Sequence, residues 1–192
     1  MSTKSIMIVG VGGQGTLLAS RIIGNALISQ GYDVKMSEVH GMAQRGGSVV
    51  TYVKYGQKVF SPIIEKASAN VILGFEELET ARWISYLSPN GTIISNTQKI
   101  NPMPVIIGSQ EYPENLTEKI KGIVSNCISL DALKLAKIAG TVKAVNVVLI
   151  GVMASVMKED KELWLDALKN TVPAKFLEMN KKAFELGYNA IS

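Results

Sequence analysis

The stretch Ile6-Met7-Ile8-Val9-Gly10-Val11-Gly12-Gly13-Gln14-Gly15 decides how this 192-residue chain is read. Four consecutive apolar residues running into glycine suit a strand buried on both faces of a parallel sheet. From Gly13 to Gln30 the period changes: Leu18, Ile22 and Ala26 share one side, Ser20, Arg21 and Asn25 lie elsewhere, and Gly31 stands where a helix C-terminal cap belongs. Residues 33–39 then alternate as a second strand. Strand, glycine turn, helix and strand make a βαβ unit, whose crossover is expected to be right-handed.

The alternation continues downstream. Residues 48–55 are rich in β-branched and aromatic side chains and predict a strand, with Gly56-Gln57 turning into a short segment around 58–60. A core strand at 70–74, a helix from 76 to 87 and a strand at 92–95 follow. Asn101-Pro102-Met103-Pro104 breaks the rhythm; residues 105–107 read as a short strand, 117–124 as a helix and 126–129 as the last strand. Beyond Asp131 only helical spacing remains, over 132–139, 145–157, 161–169 and 174–186, the last amphipathic. The chain is therefore expected to be one α/β domain over residues 1–192. Its fold is Rossmann-like: an open, mostly parallel sheet with helices on both faces and a helical C-terminal part.

Composition narrows the function. With 47% hydrophobic and 19% charged residues the chain is an ordinary globular sequence, which excludes disorder and collagen-like repeats. A single cysteine, Cys127, rules out an internal disulfide, an iron–sulfur cluster held by this chain alone and a cysteine zinc site. A reducing, cytoplasmic home is expected. The net charge of +4, from 20 basic and 16 acidic residues scattered along the chain, does not predict nucleic-acid binding. The start Met-Ser-Thr-Lys lacks the long apolar stretch and cleavage site expected of a signal peptide, and the longest apolar run, 144–157, contains Asn146 and Ser155 and predicts a buried helix rather than a membrane span.

Two constellations carry candidate chemistry. Gly10, Gly12 and Gly15 form G-x-G-x-x-G between strand and helix: the first glycine is expected to permit the turn, the second to admit a ligand to bare backbone, and the third to let helix and strand pack closely. With Gly13 and Gln14 they offer N–H groups and a helix dipole to an anion such as phosphate. Glu38 lies 23 residues past Gly15, roughly where a nicotinamide-dinucleotide enzyme keeps a ribose-binding carboxylate. Equally, the glycines can shape a turn that faces another protein.

The second constellation, residues 37–48, gathers the only histidine, His40, with Gln44, Arg45, Gly46 and Gly47 at the carboxyl end of the second strand, the edge where open α/β sheets bind ligands. Arg45 beside two glycines can fork onto a carboxylate or phosphate, and His40 can pass a proton near neutral pH. The plainer alternatives are a capping or interface histidine and a surface ion pair of Arg45 with Glu38. Glu76, Glu77 and Glu79 are read as first-turn acids that complement a helix dipole. Trp83, Trp164 and the eight methionines are read as core or subunit-contact residues, and Cys127 as an inert buried thiol. No serine, cysteine or metal hydrolase motif is present, and no metal site is expected.

The run Val9-Gly10-Val11-Gly12-Gly13-Gln14-Gly15, followed by Ser37-Glu38-Val39-His40-Gly41-Met42-Ala43-Gln44-Arg45-Gly46-Gly47, resembles the gamma-type domain of the 2-oxoacid:ferredoxin oxidoreductases, in the form found in small (beta) subunits of the indolepyruvate:ferredoxin enzymes. Further matches are Ser61-Pro62-Ile63-Ile64, Gly74-Phe75-Glu76 with Leu78-Glu79 and Arg82, Asn90-Gly91, Asn101-Pro102, and Ala139-Gly140 leading to Asn146-Val147-Val148-Leu149-Ile150-Gly151. Asn70 departs from the acid that relatives often carry, and Thr80 from their alanine.

The resemblance implies oxidative decarboxylation of an aryl 2-oxoacid, such as indolepyruvate, to an acyl-coenzyme A. In that family thiamine diphosphate with magnesium forms the reactive adduct, and iron–sulfur clusters pass electrons to ferredoxin. This chain has neither a Gly-Asp-Gly opening for thiamine diphosphate nor the cysteines for a cluster. The resemblance thus implies a larger catalytic subunit that carries those groups, coenzyme A as co-substrate, no cofactor on this chain alone, and an isolated chain without activity. It also removes the ribose role from Glu38 and sets Arg45 and the glycine turn toward coenzyme A phosphates or the substrate carboxylate. The competing expectations are a free-standing NAD(P)-binding reductase using Gly10, Gly12, Gly15 and Glu38, and a purely structural or regulatory binding module.

Overall fold

The computed structural model describes residues 3–41 and 46–191. In chain order it contains β1 (Lys4–Val11), α1 (Thr16–Ser29), β2 (Asp33–His40), β3 (Ser48–Gly56), β4 (Ala69–Gly74), α2 (Glu77–Arg82), β5 (Leu87–Asn96), α3 (Met103–Ile106), α4 (Leu116–Ile123), β6 (Cys127–Leu130), α5 (Ala132–Ala139), α6 (Val145–Met157), α7 (Lys161–Thr171) and α8 (Leu177–Tyr188). One sheet has the order β2-β3-β1-β4-β5-β6. β3 runs antiparallel to both neighbours, while β1, β4, β5 and β6 pair in parallel, so the sheet is open and mostly parallel as the sequence predicts.

Alternate residues of β1 explain the two layers. Ile6 and Ile8 join the larger core with Ile22, Leu27, Val148, Trp164 and Phe184, under α1 and the C-terminal helices. Met7 and Val9 face the other way, into a smaller core with Val50, Ile72, Ile93 and Ile120 that α2 and α4 help to cover. Both sets are almost fully buried, and each such side chain contributes roughly 1.5–3 kcal/mol of transfer free energy. The apolar run at 145–157 is the buried helix that was expected: ten consecutive residues from Val145 to Ala154 are inaccessible. No described helix is long and apolar enough to cross a membrane.

The structure departs from the sequence reading in several places. β2 does not pair with β1; β3 is inserted between them, so the βαβ unit spans an intervening antiparallel strand. Residues 105–107 are not a strand: Met103–Ile106 is a short helix, because Pro102 and Pro104 supply the fixed φ that suits a first helical turn. The helix expected over 76–87 stops at Arg82 and continues as a 3-10 turn over Ile84–Tyr86, and β5 starts at Leu87, where it pairs with Ala69. The short segment at 58–60 is a loop, where the Asp33 carboxylate accepts from the Val59 N–H. Cys127 and Trp83 are half-buried, and only Trp164 lies deep in the core.

The departures from family residues are locally satisfied. Asn70 accepts the Ser5 N–H at 2.8 Å, and Thr80 bonds the Glu76 carbonyl at 2.8 Å and the Ser95 hydroxyl at 3.0 Å.

Candidate functional site

The carboxyl edge of the sheet is where the glycine turn and the β2–β3 connection meet. The β1–β3 ladder ends on Val11 opposite Ser48, and the turn extends it: Gly12 N–H donates to the Gly47 carbonyl at 2.8 Å, and Gly46 N–H to the Gly12 carbonyl at 3.4 Å. Gln44 and Arg45 lie outside the described residues.

The motif glycines divide their labour differently from the expectation. Gly10 sits inside β1 rather than in the turn, and a Cβ there would lie 2.8 Å from Gln14 Oε1 and 3.0 Å from Phe75 Cβ, so its smallness makes room for Gln14 and for the residue that follows β4. The left-handed backbone falls at Gly13 (φ 100°) and Gly15 (φ 82°) instead. Gly15 caps α1, and a Cβ on it would lie 2.7 Å from Asn146 Nδ2; that amide already donates to the Gly15 carbonyl at 3.2 Å. Gln14, between the two, turns inward: its Oε1 accepts the Val11 N–H at 2.8 Å and its Nε2 donates to the Phe75 carbonyl at 3.0 Å. Asn96 donates to the same carbonyl at 3.1 Å and accepts from Ala132 N–H, tying the turn to β5 and α5.

A cleft of about 410 Å³ opens over this turn, lined by Gly12, Gly13, Gly15 and Thr16 on one side and by Glu38, His40 and Val49 on the other. Glu38 Oε2 accepts from the Thr16 hydroxyl at 3.3 Å and the Thr51 hydroxyl at 3.1 Å, which holds the half-buried carboxylate beside the first turn of α1. That placement complements the positive end of the helix dipole. His40 is exposed, with Nδ1 3.2 Å from the Gly41 carbonyl. The structure thus brings the glycine turn, Glu38 and His40 onto one cleft, and ties Gly46 and Gly47 to it through their hydrogen bonds with Gly12. It offers a carboxylate, an imidazole and bare backbone; no group of three described His, Cys, Asp or Glu residues is arranged to hold a metal ion.

Other edge residues escape sequence reasoning. A second groove of about 420 Å³ lies on the far side of the turn, walled by Leu18, Leu133 and Val145 and edged by Gln98, Lys143 and Asn146. Asn146 was the one visible signal, a polar residue inside an apolar run. Glu76, Glu77 and Glu79 stand at the start of α2, where acids complement the helix dipole, and they are in addition buried clamps. Glu76 caps α2 through the Glu79 N–H and accepts from the Tyr112 hydroxyl at 2.5 Å and the Ile100 N–H at 3.1 Å. Glu77 accepts from the Thr117 N–H and hydroxyl at 2.9 and 2.6 Å. Glu79 accepts from the Ser48 hydroxyl at 2.5 Å and pairs with Arg82 at 3.3 Å.

An open α/β sheet with a glycine turn at its carboxyl edge defines a broad class, and the comparisons narrow it. The chain belongs to the pyruvate ferredoxin/flavodoxin oxidoreductase family, whose sequence pattern matches residues 5–190. It is 40% identical over 197 aligned residues to the indolepyruvate oxidoreductase subunit IorB of Pyrococcus horikoshii, covering 99% of this chain and 96% of that protein. Its fold is similar to the crystal structure of pyruvate oxidoreductase subunit PORC from Thermotoga maritima, with a TM-score of 0.74 at 18% identity over 98% of this chain and 96% of that one. It is also similar to 2-oxoglutarate:ferredoxin oxidoreductase from Magnetococcus marinus, with a TM-score of 0.73 at 14% identity; there 98% of this chain matches 31% of a longer one.

Proposed function

We propose that this chain is the small, gamma-type subunit of a cytoplasmic 2-oxoacid:ferredoxin oxidoreductase, acting on indolepyruvate or another aryl pyruvate and yielding an acyl-coenzyme A. The observation that carries this reading is similarity along the whole length to an indolepyruvate oxidoreductase subunit. In this reading residues 1–192 act as one gamma-type domain. A larger subunit supplies thiamine diphosphate, magnesium and the iron–sulfur clusters, and ferredoxin takes the electrons. This chain cannot hold an iron–sulfur cluster itself, having one half-buried cysteine.

The chain's own part is to complete a pocket. The cleft between the glycine turn and Glu38 faces the catalytic subunit, Gly46 and Gly47 let a ligand approach backbone, and Arg45 meets a coenzyme A phosphate or the substrate carboxylate. Glu38 already places one negative charge beside α1, so the anion is held by the arginine rather than by the helix end. The nicotinamide reading is weaker, because β3 separates the strand that carries Glu38 from β1.

Two measurements test the proposal. Affinity purification of this chain from native extract should bring down a larger, brown, cluster-bearing protein, and 2-oxoacid-dependent ferredoxin reduction should need both. In the reconstituted complex Arg45→Ala should raise the KM for coenzyme A or the oxoacid about tenfold or more, the loss of one charge-assisted contact. Unchanged constants would remove Arg45 from the site, and absence of any cluster-bearing partner would remove the subunit reading altogether.

A further inference from the structure

α2 is six residues long, yet two of its side chains and its capping residue are buried carboxylates that fasten separate segments of the carboxyl edge. Glu76 and Glu77 hold the segment between β5 and α4 and the start of α4 itself. Glu79 alone reaches across the sheet to β3. Its Oε2 accepts from the hydroxyl of Ser48, the residue next to Gly47, and its Oε1 lies 3.3 Å from Arg82 Nε. Gly47 in turn accepts from Gly12, so one unbroken series of short contacts runs from Glu79 through Ser48 and Gly47 to the glycine turn.

We propose that Glu79, acting through Ser48, is the positioning residue that fixes Gly46 and Gly47 against Gly12 and so sets the shape of the cleft. Its consequence for turnover rests on the proposed function; the structural coupling does not.

Stability alone is a poor reason for this carboxylate. Burial pushes its pKa up, against the opposing pull of the Ser48 and Arg82 contacts, and the neighbouring Glu76 charge adds to the rise. A group whose charged form is disfavoured by burial subtracts from stability once pH rises through its folded pKa, and its ionic partner Arg82 is half exposed, so neutralising Glu79 leaves no buried charge unpaired. What a neutral amide cannot reproduce is the strong, charge-assisted acceptor that pins the Ser48 hydroxyl. Glu79→Gln therefore separates the two roles: it leaves the melting temperature close to that of the parent and loosens the cleft.

Amide hydrogen exchange on the full chain reads the loosening without any assay of activity. In Glu79→Gln and in Ser48→Ala, exchange at the Gly12 and Gly46 N–H groups should quicken about tenfold, and Ser48→Thr, which keeps the hydroxyl, should restore protection. Glu178→Gln, which breaks a surface pair with Lys181 on α8, is the control and should leave those amides unchanged. In the reconstituted complex, Glu79→Gln and Ser48→Ala should each raise a KM several-fold with a smaller change in kcat. The double variant should be no worse than either alone, since both break the same link. Unchanged exchange at Gly12 overturns the positioning role outright. Faster exchange with losses that multiply in the double variant overturns the Ser48 route. A complex that turns over equally well without this chain overturns the proposed function while leaving the exchange result standing.

Discussion

At the scale of single residues, backbone conformation decides what the turn tolerates. Gly15 combines φ 82° with Asn146 Nδ2 2.7 Å from the position of a Cβ, so Gly15→Ala meets both strain and a clash. We expect a loss of about 2–4 kcal/mol, read as a lower denaturant midpoint at constant slope. Tyr55 offers a pH test on the opposite edge. Burial, with smaller contributions from Glu159 and Tyr32, raises its hydroxyl to about 12 from 10.0. The folded state holds that proton more tightly than the unfolded chain. Its contribution is whole below pH 10 and lost as pH climbs through about 12, a change of about 3 kcal/mol. Tyr55→Phe should flatten that alkaline decline in urea titrations; a decline as steep as the parent's would refute the assignment.

At the scale of elements, α6 and α8 meet backbone to backbone. A Cβ at Gly151 would lie 2.1 Å from the Phe184 carbonyl oxygen, and one at Gly187 would lie 2.0 Å from that of Val148. Neither helix can yield without disturbing the larger core, so Gly151→Ala should cost about 3 kcal/mol or more, seen in guanidinium unfolding. Most elements could be read in the sequence, because period 2 and period 3.6 are local properties: the spans expected at 132–139 and 145–157 coincide with α5 and α6. What escaped was pairing. Nothing in the alternation of residues 48–55 says that this strand inserts beside β1, because strand order is decided by which faces must be buried together. Residues 105–107 misled by their β-branched side chains, where prolines had already set the backbone.

The candidate site divides the same way. The glycine turn, Glu38 and His40 stood out by residue type and lie on one cleft. Thr16 and Thr51, which hold Glu38, and Glu79, which holds Ser48, did not: an ordinary threonine or helix-start acid carries no mark of a partner 13 to 31 residues away.

At the scale of the whole molecule, the carboxyl edge combines the cleft with exposed apolar side chains such as Leu17, Met103, Ile106 and Val142, which suits an edge that meets another subunit. The free-standing reductase makes a contrary prediction. Calorimetry of the isolated chain against NAD and NADP should show no saturable heat; micromolar binding of either would revive that reading. β3 has a last consequence. The eight-pair ladder from Asp33↔Gly56 to His40↔Val49 sets the register of β2 and β3. A slip of one residue would turn every side chain of β2 to the other face of the sheet, so length changes among homologues are expected outside residues 33–40 and 48–56, which an alignment of their sequences would check.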